Sequence, residues 1–179
     1  TMWNKEETIQ LGDFGFDYSV LVDEEIDPNK HRVLLGNHDN PDLARQYPHF
    51  LGDFGIVHAS SFGSRGAFYV RGADSIDRIV RREGFDWFPN EELNYAESIE
   101  CMDFWEENKT NVVLSHDCPH FLANGIWGYP ASFTRKLLDE IWNIHRPAVW
   151  VFGHHHKRID MTIEGCRFVC LGELETMVL

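Results

Sequence analysis

The sequence predicts an α/β fold, and three observations lead to it. Short apolar runs alternate with amphipathic helical runs along the chain. Several apolar runs stop abruptly at Gly, Asp, Asn or His, as strands do when they hand over to loops. No repeat, low-complexity stretch or linker interrupts the 179 residues, so one domain covering 1–179 is expected.

In chain order, residues 7–13 (ETIQLGD) form a short apolar run ending in Gly-Asp, and residues 31–39 (HRVLLGNHD) another ending in Gly-Asn-His-Asp. Residues 54–60 (FGIVHAS) and 67–72 (AFYVRG) are two further strands across the turn-rich SFGSRG. A helix is expected over 89–109, opened by Pro89 and acidic residues, with Tyr95, Ile99, Met102 and Trp105 at helical spacing. Residues 110–117 (TNVVLSHD) form a strand. Residues 132–147 form a helix with Phe133, Leu137, Ile141 and Ile144 on one stripe, stopped by Pro147. Residues 148–156 (AVWVFGHHH) form the next strand. A hairpin around Glu164-Gly165 closes the chain.

Composition narrows the function. Hydrophobic residues at 43% and charged residues at 25% describe a globular chain without a membrane span or signal peptide, and a cytoplasmic location is expected. Sixteen Lys and Arg against 29 Asp and Glu leave a net charge of −13, which argues against non-specific nucleic-acid binding. Cys101, Cys118, Cys166 and Cys170 form no CxxC pair and are expected to be free thiols, with Cys166 and Cys170 on one face of a strand.

The chemistry-bearing residues sit at strand ends: Asp13, then Asn37-His38-Asp39, then His116-Asp117, then His154-His155-His156. Ligand sites in α/β sheets collect at the carboxyl ends of strands. Carboxylate, amide and imidazole donors gathered there suit Mn²⁺, Fe or Zn²⁺ better than Ca²⁺. Singly, each motif is an ordinary turn or a core histidine; their order and spacing carry the reading.

Gly12-Asp13, Gly36-Asn37-His38-Asp39, His116 and Gly153-His154-His155-His156 together resemble the calcineurin-like metallophosphoesterase superfamily, with its ordered G-D, G-N-H-[DE], H and G-H-x-H elements. The resemblance implies a four-layer α/β sandwich, two mixed sheets packed face to face with flanking helices. It implies two divalent cations, Mn²⁺ first among them, and hydrolysis of a phosphate mono- or diester, including nucleotides. Asp13 is then the bridging ligand, Asn37, His116 and His154 complete one metal site, and His156 serves the other. His38 is the general acid or transition-state stabiliser, and Asp39 orients its ring. His155 points away if the segment is extended.

One family element, D-x-H, has no match: the eleven residues before Gly12 contain neither Asp nor His. Two readings stay open. Either upstream residues are lacking here, or the chain starts at Met2 as a miniaturised member whose first cation is held weakly. The second reading keeps a non-enzymatic scaffold of the same fold as the alternative function. A metallo-β-lactamase-like site is disfavoured, because H-x-H-x-D-H does not match HHHKRID.

For the substrate, the segment GDFGFDYS lacks the Arg that the protein-phosphatase branch carries after Gly-Asp. Residues 68–93 instead resemble an insert of bacterial and phage metallophosphoesterases. Arg71, next to a strand, is the expected phosphate contact, and Trp127 in GIWGYP the expected pocket lip. Arg78, Arg81 and Arg82 could also supply phosphate contacts, although Arg81 and Arg82 read first as a solvated helix face. Asp117 and His120 are expected near His116 as supporting groups.

Overall fold

The computed structural model describes residues 7–179; Met2 lies outside them. Strands β1 (Thr8–Leu11) and β2 (His31–Leu34) pair in parallel as a two-stranded sheet. The second sheet has six strands in the order β3-β4-β5-β6-β8-β7: Phe54–Val57, Ala67–Val70, Val112–Ser115, Val149–Phe152, Cys166–Cys170 and Ile159–Ile163. Its four inner strands are parallel and both edges antiparallel. The small sheet is thus purely parallel and the large one mixed. Burial on both faces explains why the inner strands read as nearly unbroken apolar runs.

Alternation along those strands builds two cores. Ala67, Tyr69, Leu114, Val151 and Val169 face Leu34, Ile9 and Leu11 of the small sheet, so the sheets pack face to face. Phe68, Val70, Val113, Trp150, Phe152 and Phe168 face the other way. There they meet α3 (Tyr95–Asn108), α4 (His120–Trp127) and α5 (Phe133–Ile144). A third core around Tyr18, Leu21, Val33, Leu35 and Ala44 seats α1 (Ser19–Asp23) and α2 (Pro41–Ala44) outside the small sheet. Helices, sheet, sheet and helices form four layers. No helix among the described residues is long and apolar enough to cross a membrane.

Two helices differ in detail from expectation. Helix α3 begins at Tyr95 rather than Pro89, because Asn94 and Glu97 close a capping box there. Its buried face is Ser98, Cys101 and Trp105, while Tyr95 is exposed, so the expected apolar stripe was displaced. Helix α4 covers residues expected as loop, Trp127 among them, ending where Gly128 takes a left-handed conformation. The Glu164-Gly165 hairpin is present, with both residues at positive φ. All four cysteines are free and buried, Cys166 and Cys170 on one face of β8.

Candidate functional site

β1, β2, β5 and β6 each end at the same rim, and each delivers one group to it. Asp13 follows β1, Asn37 follows β2, His116 follows β5 and His154 follows β6. The Asp13, His116 and His154 donor atoms lie within 4.8 Å of one another. Two glycines make this convergence possible. A Cβ on Gly12 would overlap the His116 ring, and one on Gly36 would come within 2.5 Å of His116 Nε2 while overlapping Asp13 Oδ1. Asp13 (φ 54°) and His154 (φ 64°) both take the left-handed backbone conformation, a strained choice that clusters at functional sites.

Hydrogen bonds fix how each donor presents itself. His116 Nδ1 donates to Leu11 O at 2.6 Å, since a carbonyl can only accept. Its Nε2 therefore faces Asp13 Oδ1 and Asn37 Oδ1, each at 3.2 Å. The Asn37 amide is oriented from behind. Ser75 Oγ donates to Glu91 Oε2 at 2.6 Å, which leaves it to accept from Asn37 Nδ2 at 3.1 Å. Asn37 Oδ1 is thereby turned to the rim.

Two oxygens aimed at one imidazole nitrogen need a cation between them. Without a metal, a proton fills that need. Burial would lower the His116 pKa, but the Asp13 carboxylate beside it raises it to about 9. Burial likewise opposes charge on Asp13, yet the His116 charge and the His38 amide hold its carboxyl well below the usual range. His154 goes the other way: burial keeps its imidazole neutral, with a pKa lowered to about 3. Neutral imidazole, ionised carboxylate and a side-chain carbonyl are the forms that ligate metal. The donor set therefore fits a divalent cation held by Asp13, Asn37, His116 and His154.

Asp39 corrects its expected role. It does not touch the His38 ring. Its buried carboxylate accepts from the Asp13 and Gly36 amides at 2.9 and 2.7 Å through one oxygen, and from the Gly15 amide and Tyr18 hydroxyl at 2.9 and 2.8 Å through the other. Asp39 thus staples the Gly-Asp loop to the Gly-Asn-His-Asp loop. The ring of His38 instead meets Arg81, with guanidinium nitrogens 2.7 Å from Nε2 and 3.3 Å from Nδ1. Burial lowers the His38 pKa, and Arg81 adds to that against the Asp13 charge.

His156 also departs from expectation. It is exposed and lies 4.0 Å from Glu173, outside the convergent group, whereas His155 is buried. The expected order assumed an extended strand. His154 and His156 are both left-handed, so the chain turns there and the alternation breaks. His155 Nε2 donates to Asp117 Oδ1 at 3.1 Å, and Trp127 stacks on the ring at 3.9 Å. Trp127 is therefore a cover for His155 rather than a free lip.

Arg71 is not available to a phosphate. Its side chain is 1% exposed, paired with Asp53 and donating to the Asn90 and Glu91 carbonyls. His120 points to Asp139 at 4.0 Å. Asp117 lies behind His154 in a buried cluster with Cys118, His155 and Arg135, the Arg135 Nε being 2.8 Å from its carboxylate. Arg135 escaped the sequence reading, although it shares a helix face with Leu138 and Trp142 at i+3 and i+7. Arg81 was among the arginines considered for phosphate, but no local pattern ties it to His38, 43 residues away. A separate apolar cleft of about 720 Å³ lies beside Ile9, Leu114, Val151 and Met177, and none of the convergent residues lines it.

A family model described as calcineurin-like phosphoesterase matches residues 7–158, a span holding every convergent residue. No curated protein matches the chain.

Proposed function

Because the chain belongs to the calcineurin-like phosphoesterase family, which acts on phosphate esters with divalent metals, we propose that it hydrolyses a phosphate mono- or diester, nucleotides included. One observation carries this reading: Asp13 Oδ1 and Asn37 Oδ1 both face His116 Nε2 at 3.2 Å, an arrangement that calls for a cation. Asp13, Asn37, His116 and His154 would hold that cation, with Mn²⁺ the first choice and Fe or Zn²⁺ next. When bound, it supplies Lewis acidity toward phosphate and activates water at neutral pH.

The chain's own residues supply the rest. His38 stands beside the cluster, and one ring nitrogen exchanges a proton with the leaving oxygen. Burial and the Arg81 charge lower its pKa, so its acid form is scarcer but a stronger donor to a departing alkoxide. Asp39 keeps the two ligand loops in register through four hydrogen bonds. The reading treats 1–179 as one cytoplasmic domain.

Purified protein supplied with Mn²⁺ is expected to cleave p-nitrophenyl phosphate or bis-p-nitrophenyl phosphate. His38→Ala should lower turnover by roughly 10²–10⁴-fold with metal content unchanged. Turnover unaffected by that substitution would remove His38 from the chemistry.

A metal-binding scaffold without turnover is the second reading. The outward position of His156 supports it, since the described residues bring donors together for one cation beside His38, while the other convergent group, Asp117, Cys118 and His155, is buried against the Arg135 guanidinium. Metal binding without hydrolysis of either ester would favour it.

A further inference from the structure

The segment between β4 and α3 makes two contacts with the Asn37-His38 pair, through Ser75 and through Arg81. Ser75 orients an amide. Arg81 has a different environment. Its side chain is only 9% exposed, its Nε is paired with Asp77 at 2.8 Å, and one terminal nitrogen donates to Asp86 O at 3.3 Å. The other edge of the guanidinium lies against both nitrogens of the His38 ring.

Counting donors and acceptors at that edge leaves a mismatch. A neutral imidazole accepts through one nitrogen and donates through the other. Guanidinium only donates. Whichever tautomer His38 adopts, one of its two contacts with Arg81 can be a hydrogen bond, and the other sets an Arg N–H against an imidazole N–H. Protonated His38 accepts nothing at all. Donors therefore exceed acceptors at this point, beside the proposed reacting centre. The nearby carboxylates are already engaged: Asp77 on Arg81 Nε, and Asp13 toward His116 and the His38 amide.

We propose that Arg81 is the substrate-phosphate ligand of this site, taking a non-bridging phosphate oxygen on the guanidinium edge that faces His38. The proposal rests on the phosphoesterase reading and extends it to recognition. An anionic oxygen supplies the acceptor that the His38–Arg81 pair lacks. Guanidinium suits the task, because it binds phosphate bidentately and stays charged at any working pH. Asp77 and the Asp86 carbonyl pre-orient it, so little side-chain freedom remains to be lost on binding. Residues 71–94 then act as the recognition wall of the site, with Arg81 in the place that Arg71 was expected to fill.

The test measures binding of inorganic phosphate by calorimetry to the Mn²⁺-supplied protein, alongside KM and kcat for p-nitrophenyl phosphate. Arg81→Ala should weaken phosphate binding and raise KM by roughly tenfold or more, with metal content and melting temperature unchanged. Arg81→Lys should recover part of the loss, since it restores charge without the fork, and it carries the test if Arg81→Ala does not fold. Phosphate affinity that ignores both substitutions overturns the proposal, as does a fall in kcat alone, which would make Arg81 a positioning residue for His38. Arg81-dependent phosphate binding without ester turnover would uphold this proposal and defeat the hydrolase reading. Turnover with Arg81-independent phosphate affinity would do the reverse.

Discussion

Two donor triads lie back to back in this fold, and by distance alone they are equals. Asp13, His116 and His154 converge within 4.8 Å, and so do Asp117, Cys118 and His155 directly behind them. Their charge balance separates them. The rear triad carries its own cation: Arg135, 1% exposed, sits 2.8 Å from the Asp117 carboxylate. Its thiol is held protonated, because burial and Asp117 push the Cys118 pKa well above the ordinary value. Its imidazole already donates to Asp117. The front triad has two oxygens facing one imidazole nitrogen, and of Arg135 it meets only a terminal nitrogen, 3.5 Å from His154 Nε2. Convergence of metal-competent side chains is thus a weak sign until charges and protons are counted, and the count favours the front.

The rear triad should break as a structural unit. Asp117→Asn strands the Arg135 charge in the interior and should cost about 3–5 kcal/mol, read by chemical denaturation near neutral pH. Burial opposes charge on Asp117, but His155, His154 and Arg135 hold its pKa at about 2. A carboxyl depressed below its ordinary value near 3.8 stabilises the fold above that value and loses the contribution as pH falls toward about 2. The cost of Asp117→Asn should therefore shrink in acid over that window. A substitution as harmful at pH 2 as at pH 7 would show that packing, not charge, is what Asp117 provides.

The front triad should break as a site. Asp39→Asn keeps shape but weakens the staple between the two ligand loops, and should lower metal affinity or turnover by roughly 10–100-fold. Direct comparison with Asp117→Asn sharpens the contrast, one change moving function and the other stability. The smallest effect belongs to His156→Ala, expected to change metal content and turnover by less than about twofold, as for an exposed residue outside the cluster. A loss comparable to that of Asp39→Asn would return His156 to the ligand set.

How much of this could be read from the sequence depends on whether the signal was local. Strands ending in Gly-Asp, Gly-Asn-His-Asp, Ser-His and Gly-His are local patterns, and Asp13, Asn37, His116 and His154 at those ends lie together at one rim. The G-H-H-H stretch misled because period-two alternation holds only in extended chain, and two left-handed residues exchange the faces of His155 and His156. Asp39 differs because its contact with the His38 ring was carried over from the family resemblance; its partners here are the amides of Asp13, Gly15 and Gly36 and the hydroxyl of Tyr18. The arginines could not be ranked locally. Arg71 is buried by Asp53 and two carbonyls, and Arg81 reaches His38 across a turn whose course no local pattern dictates. Helix α4 went unseen because Asn124 and Gly125 weaken its helical signal, while burial of Leu122 and Ala123 secures it.

The most direct test of the account is Mn²⁺ binding to wild type, Asp13→Asn and Cys118→Ser, measured by calorimetry on protein first stripped of metal. The account predicts that wild type and Cys118→Ser bind alike and that Asp13→Asn binds at least about tenfold more weakly. Binding that survives in Asp13→Asn and fails in Cys118→Ser would contradict it, and would move the metal to the buried cluster behind.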